Sequence, residues 1–181
     1  MIDWLTADDL IAINSAVLDG APAVRDRGLV ASAAMRPVTI AFGTEIYPTV
    51  EERPRLLHSV VCNHPFVDGN KRTGWTAVRV MLALHDKTPG LTEDEAFALV
   101  IDVATFCSQI EVKGIAERLQ IIDRDSCDRT WGSGATGRRL RHLTRRRYVA
   151  DVSSSCCRSS IRRIFPVSVF GSESTNSTFR G

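Results

Sequence analysis

Residues 64–74 read His-Pro-Phe-Val-Asp-Gly-Asn-Lys-Arg-Thr-Gly, and this stretch decides how the chain is interpreted. Positions 64–72 hold an imidazole, a carboxylate, a Gly-Asn pair and two cations. Each of these groups alone is common in proteins as a cap, a turn or a solvated surface. In this order they offer a proton acceptor, a metal ligand and a phosphate cradle, which are the main requirements for moving a nucleotide phosphate onto a hydroxyl.

His64 is predicted to be the catalytic base. Pro65 takes the backbone out of helical geometry, so the imidazole is expected at the lip of a loop that follows a helix. Histidine has an ordinary pKa near ~6.5 and accepts a proton at cellular pH. A positioned general base contributes about 10²–10⁴-fold to a rate. Pro65 and Phe66 are predicted to be structural, with Phe66 packing the loop onto the core.

The other polar residues of the stretch form a predicted metal and phosphate site. Asp68 offers a hard oxygen ligand for Mg²⁺, which usually takes one or two carboxylates together with water and substrate phosphates. Gly69 allows the backbone to approach a ligand closely, and Asn70 is predicted to begin a helix whose first amides bind anions. Lys71 and Arg72 add a point charge and a planar fork for phosphate oxygens.

Residues 1–124 are predicted to form one compact all-α domain. Helical periodicity and two capping boxes, Thr6 with Asp9 and Thr92 with Glu95, support this prediction. A further capping box at 49–52 is followed by Pro54, so that helix is expected to start a few residues later. The run 38–42 is β-prone and predicts a strand or a hairpin arm. The predicted helices cover about 6–18, 29–35, 70–85, 92–106 and 111–122, with a further helix that runs through 56–61 and leads to His64.

Residues 125–181 differ from the first part of the chain in composition. They carry 11 Arg, no Lys and 4 acidic residues, whereas residues 1–124 carry 12 Lys/Arg against 17 Asp/Glu. Eleven of these 57 residues are Ser, and helical periodicity is lost. Three interpretations remain open: a disordered tail, the product of a shifted reading frame, or an Arg-rich arm that binds nucleic acid. The first 124 residues give no reason to expect nucleic-acid binding.

The five cysteines do not have the spacing of a zinc site. Cys62 and Cys107 lie in apolar, helix-like stretches and are predicted to be buried free thiols rather than a disulfide. No apolar run approaches the roughly 20 residues that a membrane span requires. The acidic start of the chain is unlike a signal peptide, so a cytoplasmic protein without membrane contact is expected.

The 64–74 stretch resembles the signature of the Fic/Doc superfamily, His-Pro-Phe-x-(Asp/Glu)-Gly-Asn-(Gly/Lys)-Arg, and meets every defined position. The resemblance extends over about residues 4–122 and implies a Fic/Doc-type helical fold. Residues 5–11 and 25–29 resemble the first segments of Doc (death-on-curing) proteins. Asn14 stands where Doc-like proteins often have His.

Two positions make the chain more similar to Doc proteins than to the Fic members that transfer AMP. Those members usually have Gly after the motif Asn and a second Arg three residues past the first, whereas this chain has Lys71 and Trp75. The resemblance implies a protein kinase that uses ATP and Mg²⁺ and phosphorylates a threonine of elongation factor Tu. It also implies inhibition by a separate Phd-like antitoxin.

Two alternatives stay open at this point. The first is a Fic-type enzyme that transfers AMP to a protein hydroxyl from the same site. The second is an inactive copy, or a protein that binds nucleic acid through its Arg-rich tail.

Overall fold

In the computed structural model, residues 4–47, 49–50, 53–124 and 164 are described. They form a predominantly helical domain, which confirms the predicted all-α class. The helices are α1 (Ala7–Leu18), α2 (Arg27–Met35), α3 (Arg55–Asn63), α4 (Asn70–Leu84), α5 (Glu93–Thr105) and α6 (Val112–Leu119), with a 3₁₀ turn at Arg36–Val38. The strands are β1 (Ile40–Ala41), β2 (Thr44–Glu45), β3 (Lys87–Pro89) and β4 (Ile121–Asp123).

Within residues 125–181 the structure describes only Ile164, so the predictions for the tail fall outside the described residues. Ile164 is described and belongs to the buried core. Among the described helices, none is both long and apolar enough to cross a membrane.

Side-chain caps fix where the helices begin. Two of the three predicted capping boxes are present, at Thr6 with Asp9 and at Thr92 with Glu95, and the third, at 49–52, lies partly outside the described residues. Asp26 caps α2 by accepting hydrogen bonds from the Gly28 and Leu29 amides, so this helix starts two residues before the predicted position. Helix α3 begins after Pro54, as the proline predicted.

Helix α4 lies at the centre of the domain and packs against α1, α3 and α5. Most of its residues are buried, including those that would normally form a polar face. Gly74 lets α3 approach closely, since an added Cβ would lie 3.0 Å from Val61 Cγ2 and 3.2 Å from Leu57 Cδ1. The helix that ends at His64 and the helix that begins at Asn70 are therefore in tight contact.

The β-prone run forms the first arm of a hairpin, as predicted. Strands β1 and β2 pair antiparallel, with Ile40 opposite Glu45. The two-residue turn, Phe42-Gly43, has positive φ angles of 51° and 80°, which is the geometry that suits the twist of a tight hairpin. Arg53 is buried beneath this segment, ion-paired to Glu45 at 2.9 Å, with its guanidinium 3.8 Å from the Trp4 ring centroid.

The predicted end of the last helix is wrong. Helix α6 ends at Leu119 because Gln120 takes a left-handed conformation, with φ 46°. Residues 121–123 then form β4, which pairs antiparallel with β3 at residues 87–89. β-branched Ile121 and Ile122 suit a strand, but the partner strand is more than 30 residues away in sequence, so helical periodicity alone did not reveal it.

The prediction of free thiols at Cys62 and Cys107 is also wrong. The two residues form a disulfide, with a Cα–Cα distance of 5.6 Å across 45 residues of sequence. Cys62 lies in the last turn of α3, and Cys107 follows the end of α5. Because α3 and α5 pack against each other, two apolar-looking cysteines become neighbours.

Candidate active site

His64 closes helix α3 and lies at the edge of the motif loop, which we define as residues 65–69. It is the helix C-cap and has a left-handed backbone, with φ 46° and ψ 57°. The ring keeps access to solvent, but neighbouring atoms displace part of its hydration. This partial burial lowers the pKa of His64 below its ordinary value of 6.5, and the positive charges of Arg25 and Lys71 lower it further. The imidazole is therefore held in its neutral, proton-accepting form.

The motif loop is held against the connection between α1 and α2. Val24 and Phe66 form an antiparallel bridge, and the Val67 amide donates to Ala23 O at 2.6 Å. The amides of Arg25 and Asp26 both donate to Pro65 O, at 2.9 and 3.1 Å. The Phe66 side chain is buried in the core. Backbone bonds and one aromatic anchor thus fix the loop between His64 and α4.

The Asn70 side chain closes the motif loop from within. Its Oδ1 accepts from the Phe66 amide at 3.0 Å, and its Nδ2 donates to Phe66 O at 2.8 Å. Both ends of the amide are therefore engaged by the protein. What Asn70 offers a phosphate is its position in the first turn of α4, where backbone amides lack helical partners.

Asn14 is a site residue to which the sequence assigned no role. It lies on α1, is fully buried, and its Nδ2 donates to Asp68 O at 3.0 Å and to Thr73 Oγ1 at 3.1 Å. Its Oδ1 accepts from the Ala23 amide at 2.9 Å. One side chain therefore ties the motif loop, the start of α4 and the α1–α2 connection together.

Close packing explains the glycine at position 69. Gly69 has φ 78°, and an added Cβ would lie 3.1 Å from Asn14 Nδ2 and 3.2 Å from Leu18 Cδ2. Both the left-handed backbone and the lack of space exclude a larger residue. The requirement comes from the contact with α1, in addition to any ligand.

The charged residues at the start of α4 are arranged for an anion beside a carboxylate. Arg72 Nη1 donates to Val17 O at 3.4 Å, and Nη2 lies 3.5 Å from Asp68 Oδ2. The Arg72 side chain is only 12% exposed, whereas that of Asp68 is 66% exposed. The guanidinium is thus fixed from α1, and the carboxylate remains open to solvent. Lys71 is half-buried beside them.

The site offers a single carboxylate to a divalent cation. Among the described residues, no three His, Cys, Asp or Glu side chains form a group that could hold a metal. One exposed carboxylate fits Mg²⁺, which keeps several waters and takes its remaining ligands from substrate phosphates. It does not fit zinc, which takes three or four protein ligands.

Comparison with known proteins places the chain in a family. A family model described as the Fic/DOC family matches residues 4–82. The Toxin Doc of Mycolicibacterium smegmatis (strain ATCC 700084 / mc(2)155) is 34% identical over 108 residues, which cover 58% of this chain and 83% of that protein. The chain belongs to the Fic/Doc family. No solved structure matches it.

The position where AMP-transferring Fic proteins carry a second arginine belongs to the core in this Fic/Doc protein. Trp75 is only 3% exposed and packs in the central cluster. A cation at this position would be buried, away from solvent. The two cations of the motif, Lys71 and Arg72, lie in the first turn of α4.

The structure brings the predicted site residues of this Fic/Doc protein together in one segment. His64 and Asp68 lie at the two ends of a loop, and Gly69 to Arg72 follow at the start of α4. Sequence reasoning missed Asn14 and Arg25. Each had one available signal: Arg25 lies within a segment that resembles Doc proteins, and Asn14 stands where Doc-like proteins often have His, but neither signal indicated which groups the side chain would contact.

Proposed function

We propose that this protein is the toxin of a toxin–antitoxin system and acts as a protein kinase of the Doc type. Membership of the Fic/Doc family and the 34% identical relative named Toxin Doc support the toxin role. The enzyme transfers the γ-phosphate of ATP to a threonine hydroxyl of elongation factor Tu, which arrests translation. The target is carried over from the family resemblance.

One observation carries the catalytic part of the proposal. A base and an anion-binding helix start are joined by a loop whose backbone is fixed by the α1–α2 connection, by Asn70 and by Asn14. A transfer that depends on positioning requires such rigidity, because misplacement by about 1 Å costs roughly 100-fold in rate.

The chain's own residues account for the proton and the charge. His64 accepts the proton of the threonine hydroxyl while that oxygen forms a bond to the γ-phosphorus. The bond between this phosphorus and its bridging oxygen breaks, and ADP leaves with the electron pair. Lys71, Arg72 and the first amides of α4 stabilise the negative charge on the phosphate oxygens.

Asp68 is the residue proposed to hold magnesium. Its exposed carboxylate lies next to the phosphate-binding helix start, as a shared site for metal and nucleotide requires. When bound, the ion neutralises phosphate charge and orients the phosphate oxygens. Asp68 would supply the one protein carboxylate to this ion.

Two residues favour phosphate transfer over AMP transfer. Lys71 follows the motif asparagine, and the buried Trp75 occupies the position of the second arginine of AMP-transferring relatives. With a single arginine in the motif, we propose that the γ-phosphate lies at the reaction centre.

Label transfer tests the reaction. The full chain is incubated with elongation factor Tu, Mg²⁺ and ATP labelled at either the α or the γ phosphate. Label from γ alone supports the kinase, and label from α shows AMP transfer from the same site. His64→Ala and Asp68→Ala are the matched inactive controls. If neither label is transferred and wild-type chain does not bind ATP, the catalytic proposal is wrong.

The proposed partner is a Phd-like antitoxin in the cytoplasm. An antitoxin encoded beside this protein should relieve growth arrest on co-expression and co-purify with it. The competing idea, an Arg-rich arm that binds nucleic acid, predicts DNA binding that weakens steeply with salt and disappears when residues 125–181 are deleted.

A further inference from the structure

Arg25 contacts the chain on both sides of His64. Its backbone amide donates to Pro65 O at 2.9 Å, and its guanidinium Nη2 donates to Asn63 O at 2.7 Å. Asn63 and Pro65 are the immediate neighbours of the imidazole-bearing residue. Arg25 comes from the α1–α2 connection, 38 residues earlier in the chain than Asn63.

The backbone at His64 requires such support. A residue other than glycine in the left-handed region persists where its surroundings determine its conformation, and His64 has φ 46°. The carbonyl of Asn63 also belongs to the last turn of α3, where carbonyls lack helical partners. A charged donor at 2.7 Å satisfies this carbonyl and holds the turn that presents the imidazole.

The charges around His64 favour its neutral form. Arg25 approaches from the α1–α2 connection and Lys71 from α4, and both disfavour an imidazolium ion. Asp26, the acid adjacent to Arg25, directs its carboxylate to the first amides of α2. Asp68, at the far end of the motif loop, lies 3.5 Å from Arg72. Both of these acids are therefore engaged by other groups.

We propose that Arg25 is a positioning residue for His64: it fixes the backbone on both sides of the imidazole and places a positive charge beside the ring. The inference rests on the proposed role of His64 as the base. It assigns a function to a residue outside the 64–74 stretch, in the connection that pairs with the motif loop.

NMR titration of the His64 ring tests the proposal without any activity measurement. The chain has four histidines, and the His64 signal is assigned by its absence in His64→Ala. In Arg25→Gln, the midpoint of the His64 titration should move upward, because a positive charge has been removed. In Arg25→Lys, which keeps the charge, it should stay close to that of the wild type. Arg27→Gln is the matched control, since it removes an exposed arginine two residues away at the start of α2.

Activity supplies the second readout. Arg25→Gln should lower kcat roughly 10-fold, because the base is displaced, and should move the acid limb of the pH–rate profile upward, with KM for ATP little changed. Arg25→Lys should restore the position of the acid limb and only part of kcat, since it lacks the planar fork. Arg27→Gln should behave as the wild type in both respects.

The two proposals fail in different ways. If Arg25→Gln folds with an unchanged His64 titration and unchanged kcat, Arg25 is not a positioning residue, while the kinase proposal stands. If it changes only the melting temperature, its contacts are structural and the inference is overturned. If the wild type neither binds ATP nor transfers phosphate and an upward shift of the titration is still seen, the electrostatic half of the inference stands and the proposed function is wrong.

Discussion

The motif loop 65–69 and the hairpin 40–45 are both short non-helical segments, but the protein holds them in different ways. The loop is tied by backbone bonds to residues 23–26 and by the side chains of Asn14 and Asn70. The hairpin presents Phe42 and Ile40 to solvent and is anchored by the ion pair between Glu45 and Arg53. Contacts from segments distant in sequence therefore hold the loop that carries the proposed catalytic groups. The ion pair of the hairpin joins residues only eight positions apart.

The largest expected effect comes from removing the proposed base beside the motif loop without disturbing the structure of the loop. His64→Ala should lower the rate of label transfer by about 10²–10⁴-fold, because the proton acceptor is lost. The melting temperature should change by no more than about 2 °C, since the residue is exposed. Val67→Ala, at an exposed position of the same loop, is the control. An unchanged rate in His64→Ala would rule out the base role.

Asn14→Ala should test whether the loop is as firmly held as its contacts indicate. It removes three hydrogen bonds and leaves buried polar groups without partners, each costing about 1–3 kcal/mol. We expect a loss of about 2–4 kcal/mol in the free energy of unfolding, measured by urea denaturation, and at least a 10-fold fall in activity.

The control for that experiment is Gln109→Ala, which removes an exposed amide far along the chain. If Asn14→Ala and Gln109→Ala had the same free energy of unfolding, backbone hydrogen bonds alone would hold the loop.

Reduction of the disulfide should lower the melting temperature of the domain, because the bond links the last turn of α3 to the residue that follows α5. The Cys62–Cys107 bond closes 45 residues of sequence, and such cross-links typically contribute 2–4 kcal/mol, that is about 3 kcal/mol on average. Thermal melts with and without dithiothreitol should differ by roughly 10 °C. The Cys62→Ser/Cys107→Ser double variant should melt at the temperature of the reduced protein and not respond to the reductant. Identical melts of the wild type in both buffers would contradict the bond.

Glu45→Gln tests whether the ion pair with Arg53 holds the hairpin in place. Glu45 is half-exposed, but its partner Arg53 is only 2% exposed, so loss of the carboxylate charge should cost about 1–3 kcal/mol, more than for a fully exposed pair. The local effect should be larger than the global one: hydrogen exchange at the Ile46 amide, which donates to Thr39 O, should accelerate. Glu117→Gln breaks a pair in which both partners are exposed, at 4.0 Å from Lys113, and should leave Ile46 exchange unchanged.

The smallest expected effect is the contribution of His64 to the pH dependence of stability. The pKa of His64 is lowered in the folded state, so the unfolded chain binds more protons between that value and 6.5. The contribution of this residue to stability is therefore present above pH 6.5 and is lost as the pH falls through the folded-state pKa. Urea midpoints of the wild type should fall more than those of His64→Ala across this window. Parallel curves would show that the ring titrates normally.

Much of the helical frame could be predicted because its signals are local. The capping boxes at Thr6 and Thr92 predicted two helix starts, and Pro54 predicted that α3 would begin later than residue 49. The errors involve partners that are distant in sequence. Strand β4 exists because β3 lies beside it, and Cys62 meets Cys107 because two helices pack together.

The site divides in the same way between the predictable and the unpredictable. The order of residue types in 64–72 predicted which groups would gather, and the structure places them in one loop and the next helix turn. The supports of that loop were not predictable, because Asn14 and Arg25 act through carbonyls and amides of other residues. A side chain that binds backbone leaves no complementary residue type in the sequence to indicate its partner.

Gly74 joins the two helices on either side of the motif loop into one closely packed pair. With α3 and α4 pressed together at this residue, the end of one helix and the start of the other belong to a single stiff body. The imidazole and the first amides of α4 are therefore carried by two closely packed helices. For the function proposed above, such a preformed site predicts that little conformational entropy is lost on binding.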